Sequence, residues 1–70
     1  MTKQAPTTIK SDVTALRKAA GLTQQQLADK VTVTRQTIIA IEKGNYVPSV
    51  FLALKLAQQF SCSVERIFSL

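Results

Sequence analysis

The chain predicts an all-α domain of five short helices joined by tight turns, with no alternating stretch long enough for a strand. Three observations carry that expectation. Apolar residues recur at three- and four-residue spacing from Val13 onward. Thr23, Thr34, Ser49 and Ser63 stand where helix starts need an oxygen acceptor for their free N–H groups. Gly21 and Gly44 stand where helices must stop in a left-handed conformation.

Residues 1–10, MTKQAPTTIK, hold Pro6, three threonines and two lysines without a helical stripe, and read as a flexible N-terminal arm. Residues 11–70 read as the folded domain. Ser11 or Asp12 can cap a first helix with Val13, Leu16 and Ala20 on its inner side, ended by Gly21. Thr23 with Gln26 three residues on forms a capping box, opening a second helix through Lys30 that turns Leu27, Ala28 and Val31 inward. Thr34 caps a third, from about Arg35 to Lys43, with Ile38 and Ile41 inside and Gly44 as its stop. Asn45 to Pro48 form a loop, and Ser49 caps a fourth helix running to about Phe60. Ser63 caps a last short helix ending near Ser69, with Val64, Ile67 and Phe68 apolar.

Seventy residues bound what this fold can do. A chain of that size supports one modest core, and small domains often need disulfides, metal or a partner subunit. The single cysteine, Cys62, makes no internal disulfide, so helix packing or association must supply the stability. Histidine is absent and the acidic residues Asp12, Asp29, Glu42 and Glu65 are scattered, which leaves no catalytic constellation and no metal or cofactor site to predict. An enzyme is not expected. No apolar run approaches the roughly 20 residues that span a bilayer, and the N-terminus lacks the apolar segment of a secretory signal, so the expected location is the cytoplasm.

The net charge of +5 favours a polyanionic partner, either nucleic acid or an anionic membrane. A membrane-surface helix gathers its basic residues on one amphipathic segment. Here they run from Lys3 to Arg66 along the whole chain, which favours nucleic acid and no membrane.

The spacing of the second and third helices sharpens that choice. Only Thr32 and Val33 separate them, so they must cross steeply, and the small Ala28 permits the close contact. With Val33, Ile38 and Ile41 behind, this is the spacing of a helix-turn-helix, whose second helix enters the major groove of duplex DNA. Core packing alone can produce such a pair, so the outward face matters. Arg35, Gln36, Ile39 and Ala40 lie off the buried stripe and are the candidates for base contact. Arginine can bridge guanine O6 and N7, and glutamine adenine N6 and N7, each such pair discriminating by roughly 1–3 kcal/mol. The alternative is that Arg35 binds a phosphate and Gln36 only helps the helix start. Thr23, Gln24, Thr34 and Thr37 sit near two helix N-termini, where free N–H groups and the helix dipole favour phosphate, although the threonines also serve as caps. Lys43, Asn45 and Tyr46 follow the third helix and are candidates for gripping adjoining phosphates, or simply solvated surface.

The segments LTQQQLADKV and VTRQTIIAIEKGNYVPS resemble the Xre/Cro family of phage-repressor-type helix-turn-helix domains. The resemblance covers about Ser11 to Leu70 and rests on Gln24, Leu27, Ala28, Thr34, Arg35, Gln36, Thr37, Ile38, Ile41, Glu42, Gly44, Pro48 and Ser49 together. It implies the compact five-helix bundle of phage-repressor DNA-binding domains, and a short single-domain transcriptional regulator that binds a duplex operator as a homodimer. It also implies an ion pair between Arg17 of the first helix and Glu42 of the third, placed to fix one against the other. The chain departs from the family at Thr32 and Ser61, where glycine is common. A left-handed conformation there is strained, above all for the β-branched Thr32, and the turn is expected to be reshaped or costly.

The fourth helix, SVFLALKLAQQF, carries more apolar residues than one inward face can hide. Phe51 and Leu52 with Phe68 and Leu70 are the candidate homodimer interface, which would set two reading helices about 34 Å apart. A larger core with ordinary exposed apolar residues is the simpler alternative. A third possibility is a protein partner on the fourth helix, as in an antitoxin that uses DNA binding for autoregulation. Cys62 reads as packing rather than a redox sensor.

Overall fold

The computed structural model describes residues 9–70. Its elements run β1 (Lys10–Ser11), α1 (Val13–Ala19), α2 (Gln24–Val31), α3 (Arg35–Glu42), α4 (Val50–Phe60), α5 (Val64–Ile67) and β2 (Phe68–Ser69). The five helices agree with the all-α expectation. The two short strands do not, and they replace the end of the last helix, which stops at Ile67 rather than near Ser69. Lys10 pairs with Ser69 and Ser11 with Phe68 in an antiparallel ladder, which the Asp12 N–H extends to the Ile67 carbonyl at 2.8 Å. Ile9 packs on the core, so the last two residues assigned to the arm lie against the domain; residues 1–8 fall outside the described ones.

Local chemistry explains most helix boundaries. The Thr23 hydroxyl accepts from the Gln26 N–H at 3.0 Å while Gln26 Oε1 accepts from the Thr23 N–H at 2.8 Å, closing a reciprocal capping box. Thr34, Ser49 and Ser63 each accept from the N–H three residues on. The start of α1 differs: Asp12 makes no cap bond and its carboxylate pairs instead with Arg66, while the Ser11 hydroxyl accepts from the Val13 N–H. Ala20, expected on the inner stripe, is exposed beyond the end of α1.

The core is built from Val13, Leu27, Ala28, Val31, Ile38, Ile41, Leu52, Ala53, Leu56, Ile67 and Phe68. Cys62 is half-buried against it. Gly44 is buried with φ +76°, and a Cβ there would lie 2.7 Å from the Ile9 carbonyl oxygen. Both facts require glycine. No helix among the described residues is long and apolar enough to cross a membrane.

Thr32 and Ser61 both adopt the left-handed conformation, with φ 63° and 53°. The turn therefore keeps the geometry that glycine usually supplies, at a cost in strain rather than by a change of shape. Ser61 is exposed, so glycine can replace it without disturbing the core. Ser61→Gly is expected to raise stability by about 0.5–1 kcal/mol, the relieved strain exceeding the added freedom of the unfolded chain. A thermal melt showing a lower Tm for this variant would contradict the strain reading.

Candidate nucleic-acid interface

α2 and α3 pack together, with Ala28 of the first and Ile38 of the second both fully buried in the core, and only Thr32, Val33 and Thr34 lie between Val31 and Arg35. The Val33 N–H bonds to the Ala28 carbonyl at 3.0 Å, tying the turn back to α2. Ala28 has no bulk beyond its methyl group, which allows the two helices to pack closely. The pair presents two capped N-termini, at Thr23 and Thr34.

Along α3, burial of Ile38 and Ile41 turns the opposite side outward. Arg35 and Gln36 are exposed at its first turn, and Ile39 and Ala40 are half-buried behind them. The Thr37 hydroxyl lies 3.1 Å from that of Thr34, and the Thr37 N–H bonds to the Thr34 hydroxyl at 3.2 Å, so both threonines order the start of α3. Lys43, Asn45 and Tyr46 are exposed immediately after the helix. The structure thus places polar and basic groups at both ends of α3 around a small apolar patch.

Beneath the N-terminus of α2 lies a polar network. Arg17 Nε donates to Glu42 Oε2 at 2.6 Å, and its other nitrogens reach Glu42 Oε1 at 3.4 Å and the Leu22 carbonyl at 2.8 Å. The two side chains are only 11% and 8% exposed. Gln24 Nε2 donates to Glu42 Oε1 at 3.0 Å, so its amide, a candidate phosphate contact, is partly committed to the network. Burial pushes the Glu42 carboxyl up, but hydrogen bonds from Arg17 and Gln24, the Arg17 charge and the Thr14 hydroxyl outweigh it and hold its pKa below the ordinary value. The roles of Gln24, Thr14 and the Leu22 carbonyl had no sign in the sequence, because they depend on how α1, α2 and α3 come together.

Two of the four residues taken for a dimer interface are corrected by this structure. Leu52 and Phe68 are 5% and 7% exposed and belong to the core, whereas Phe51 and Leu70 are exposed. An α-helix with apolar residues on every side does not reveal which stripe is inward. On α4, Leu52, Ala53 and Leu56 face the core, and Val50, Phe51 and Leu54 form a second stripe facing solvent.

Two short helices in contact across a three-residue turn, the second capped and partly facing outward, define a helix-turn-helix DNA-binding domain. The helix-turn-helix family model HTH_3 matches residues 13–67, and the chain belongs to this Xre/Cro-type family of DNA-binding, non-enzymatic transcriptional regulators. It is 50% identical over 60 residues to the uncharacterized HTH-type transcriptional regulator YgzD of Bacillus subtilis, covering 86% of this chain and 91% of that one. The same figures hold for the uncharacterized HTH-type transcriptional regulator MJ0272 of Methanocaldococcus jannaschii. The competence pilus inhibition repressor of Acinetobacter baylyi is 46% identical over 55 residues, which span 79% of this chain and 50% of that protein.

Proposed function

We propose that this regulator is a repressor that reads a specific duplex operator through α3 and acts in the cytoplasm as a homodimer. The observation that carries the reading is the exposed first turn of α3, where Arg35 and Gln36 extend from a helix whose own base is fixed by buried Ile38 and Ile41. Both side chains can make bidentate contacts with purine edges in the major groove. Ile39 and Ala40 suit contact with a thymine methyl. Thr23, Gln24, Thr34, Thr37, Lys43, Asn45 and Tyr46 surround them as phosphate contacts that set register. The name of the Acinetobacter baylyi relative favours repression over activation.

The homodimer uses the solvent-facing stripe of α4. Val47, Val50, Phe51 and Leu54 are 64%, 77%, 71% and 54% exposed, an apolar surface that a second copy would cover. Lys55 is the one charge on α4, so two copies with net charge +5 can meet there with little like-charge contact. Phe51→Glu is expected to give monomer at micromolar concentration in sedimentation and to weaken operator binding by about tenfold or more, since the second half-site is no longer filled in the same event. Dimers persisting in that variant would move the interface elsewhere. A wild-type protein that is monomeric alone but purifies with a second protein would instead assign the stripe to a heterologous partner. Selection from random duplex DNA tests the whole reading: a two-fold site with half-sites one helical turn apart is expected, and the absence of any enriched sequence would refute it.

A further inference from the structure

The turn between α2 and α3 carries a contact that the reading of α3 does not use. Lys55 Nζ, from the middle of α4, donates to Thr32 Oγ1 at 2.8 Å. Thr32 is the left-handed residue at the C-terminal end of α2, where the last carbonyls carry the negative end of the helix dipole. The ammonium therefore meets a hydroxyl acceptor and a favourable field together. The same ammonium lies 5.1 Å from the ring centre of Phe51, one turn earlier on α4. Glycine at position 32 would adopt this conformation without strain but would offer Lys55 no hydroxyl.

We propose that Lys55 is a positioning residue for DNA reading: by bonding to Thr32 it holds the strained turn that aims α3, and through Phe51 it joins that turn to the apolar stripe of α4. The inference rests on α3 being the reading helix. The angle between α2 and α3 depends on three residues, Thr32, Val33 and Thr34; the Thr32 N–H is shared between the Ala28 and Asp29 carbonyls, the latter at 3.4 Å, and the Val33 N–H returns to Ala28 at 3.0 Å. These backbone bonds all run back to α2, so they fix where that helix ends but do not tie the turn to the rest of the domain; a side-chain anchor from another helix does. Lys55 supplies it from a helix whose Leu52 and Leu56 are fixed in the core.

Three variants separate positioning from charge and from folding. Thr32→Val keeps the β-branched shape and every charge but removes the acceptor. Lys55→Met keeps the apolar stem and removes the donor, and Lys55→Arg restores a charged donor. The first readout is the ratio of operator affinity to affinity for random duplex of equal length at one salt concentration. Loss of a distant charge weakens both binding modes alike, whereas a misaimed α3 lowers the ratio. Thr32→Val and Lys55→Met are each expected to lower it about fivefold, the double variant no further, and Lys55→Arg to recover most of it. The second readout needs no DNA: the amides of Thr32 and Val33 should exchange several-fold faster in both single variants while those of Leu27 and Ile41 keep their wild-type rates. Unchanged exchange at Thr32 and Val33, an unchanged ratio in Thr32→Val, or additive losses in the double variant would each overturn the inference. A wild-type protein without sequence preference would refute the reading by α3, and the exchange experiment would still decide whether Lys55 holds the turn.

Discussion

Replacing Arg35 and Gln36 together by alanine is expected to lower affinity for the selected operator by about 100-fold or more, as each bidentate base contact discriminates by roughly 1–3 kcal/mol. The same variant should fold normally. Both side chains are exposed and, among the described residues, neither makes a hydrogen bond that holds α3, whose start depends on Thr34 and Thr37. The melting temperature is therefore expected to stay within a few degrees of wild type. Binding to random DNA should fall far less, since only one positive charge is removed. Measured by fluorescence anisotropy at fixed salt, a parallel loss on operator and random duplex would mean that Arg35 only neutralises phosphate and that sequence is read elsewhere.

Breaking the Arg17–Glu42 pair is expected to have the largest effect on stability. Removing one member leaves the other nearly buried without its counter-charge, which costs about 3 kcal/mol, the low end of the scale for buried pairs because Gln24 and Thr14 still bond Glu42. In a domain of this size that is a large share of the total, and Arg17→Ala should lower Tm by roughly 10–20 °C. Replacing both at once, as Arg17→Met with Glu42→Leu, should restore much of the loss, because apolar groups of similar volume leave no orphaned charge. If Arg17→Ala melts like wild type in calorimetry, the pair has no structural role.

The same pair gives stability a defined acid dependence. Glu42 has a folded pKa below its ordinary value of 4.5, so the unfolded chain takes up a proton more readily than the native one as pH falls. The contribution of Glu42 is complete above that ordinary value and is lost as pH drops through the lower, folded one. Glu42→Gln should flatten this part of the curve, which urea melts between about pH 3 and 6 can resolve.

Features that depend on neighbours three or four residues apart were legible in the sequence: the capping box at Thr23, the caps at Thr34, Ser49 and Ser63, and the stop at Gly44. Features set by distant partners were not. A two-residue strand shows no alternation, so nothing at Lys10 or Ser69 announced their pairing. Asp12 looked like a cap because an acidic residue suits that position, yet Arg66 claims its carboxylate. Leu52 and Phe51 are adjacent and equally apolar, and only the packing of α4 on α2 and α5 decides that one is core and the other surface. At the candidate interface, the outward position of Arg35 and Gln36 followed from the Ile38 and Ile41 stripe, while the commitment of Gln24 to Glu42 required the third dimension. The strain expected at Thr32 is present, but its anchoring by Lys55 had no local signature.

The ribbon of β1 and β2 has a consequence for how the domain is wired. Because Lys10 and Ser69 lie side by side, the polypeptide between them traces a nearly closed ring. Joining those ends with a short linker and reopening the chain in the exposed Asn45–Val47 loop would produce a circular permutant with the same helix pairs. That ring is also the longest loop that any pairing among the described elements closes, so the ribbon is the contact whose closure costs the open chain most entropy.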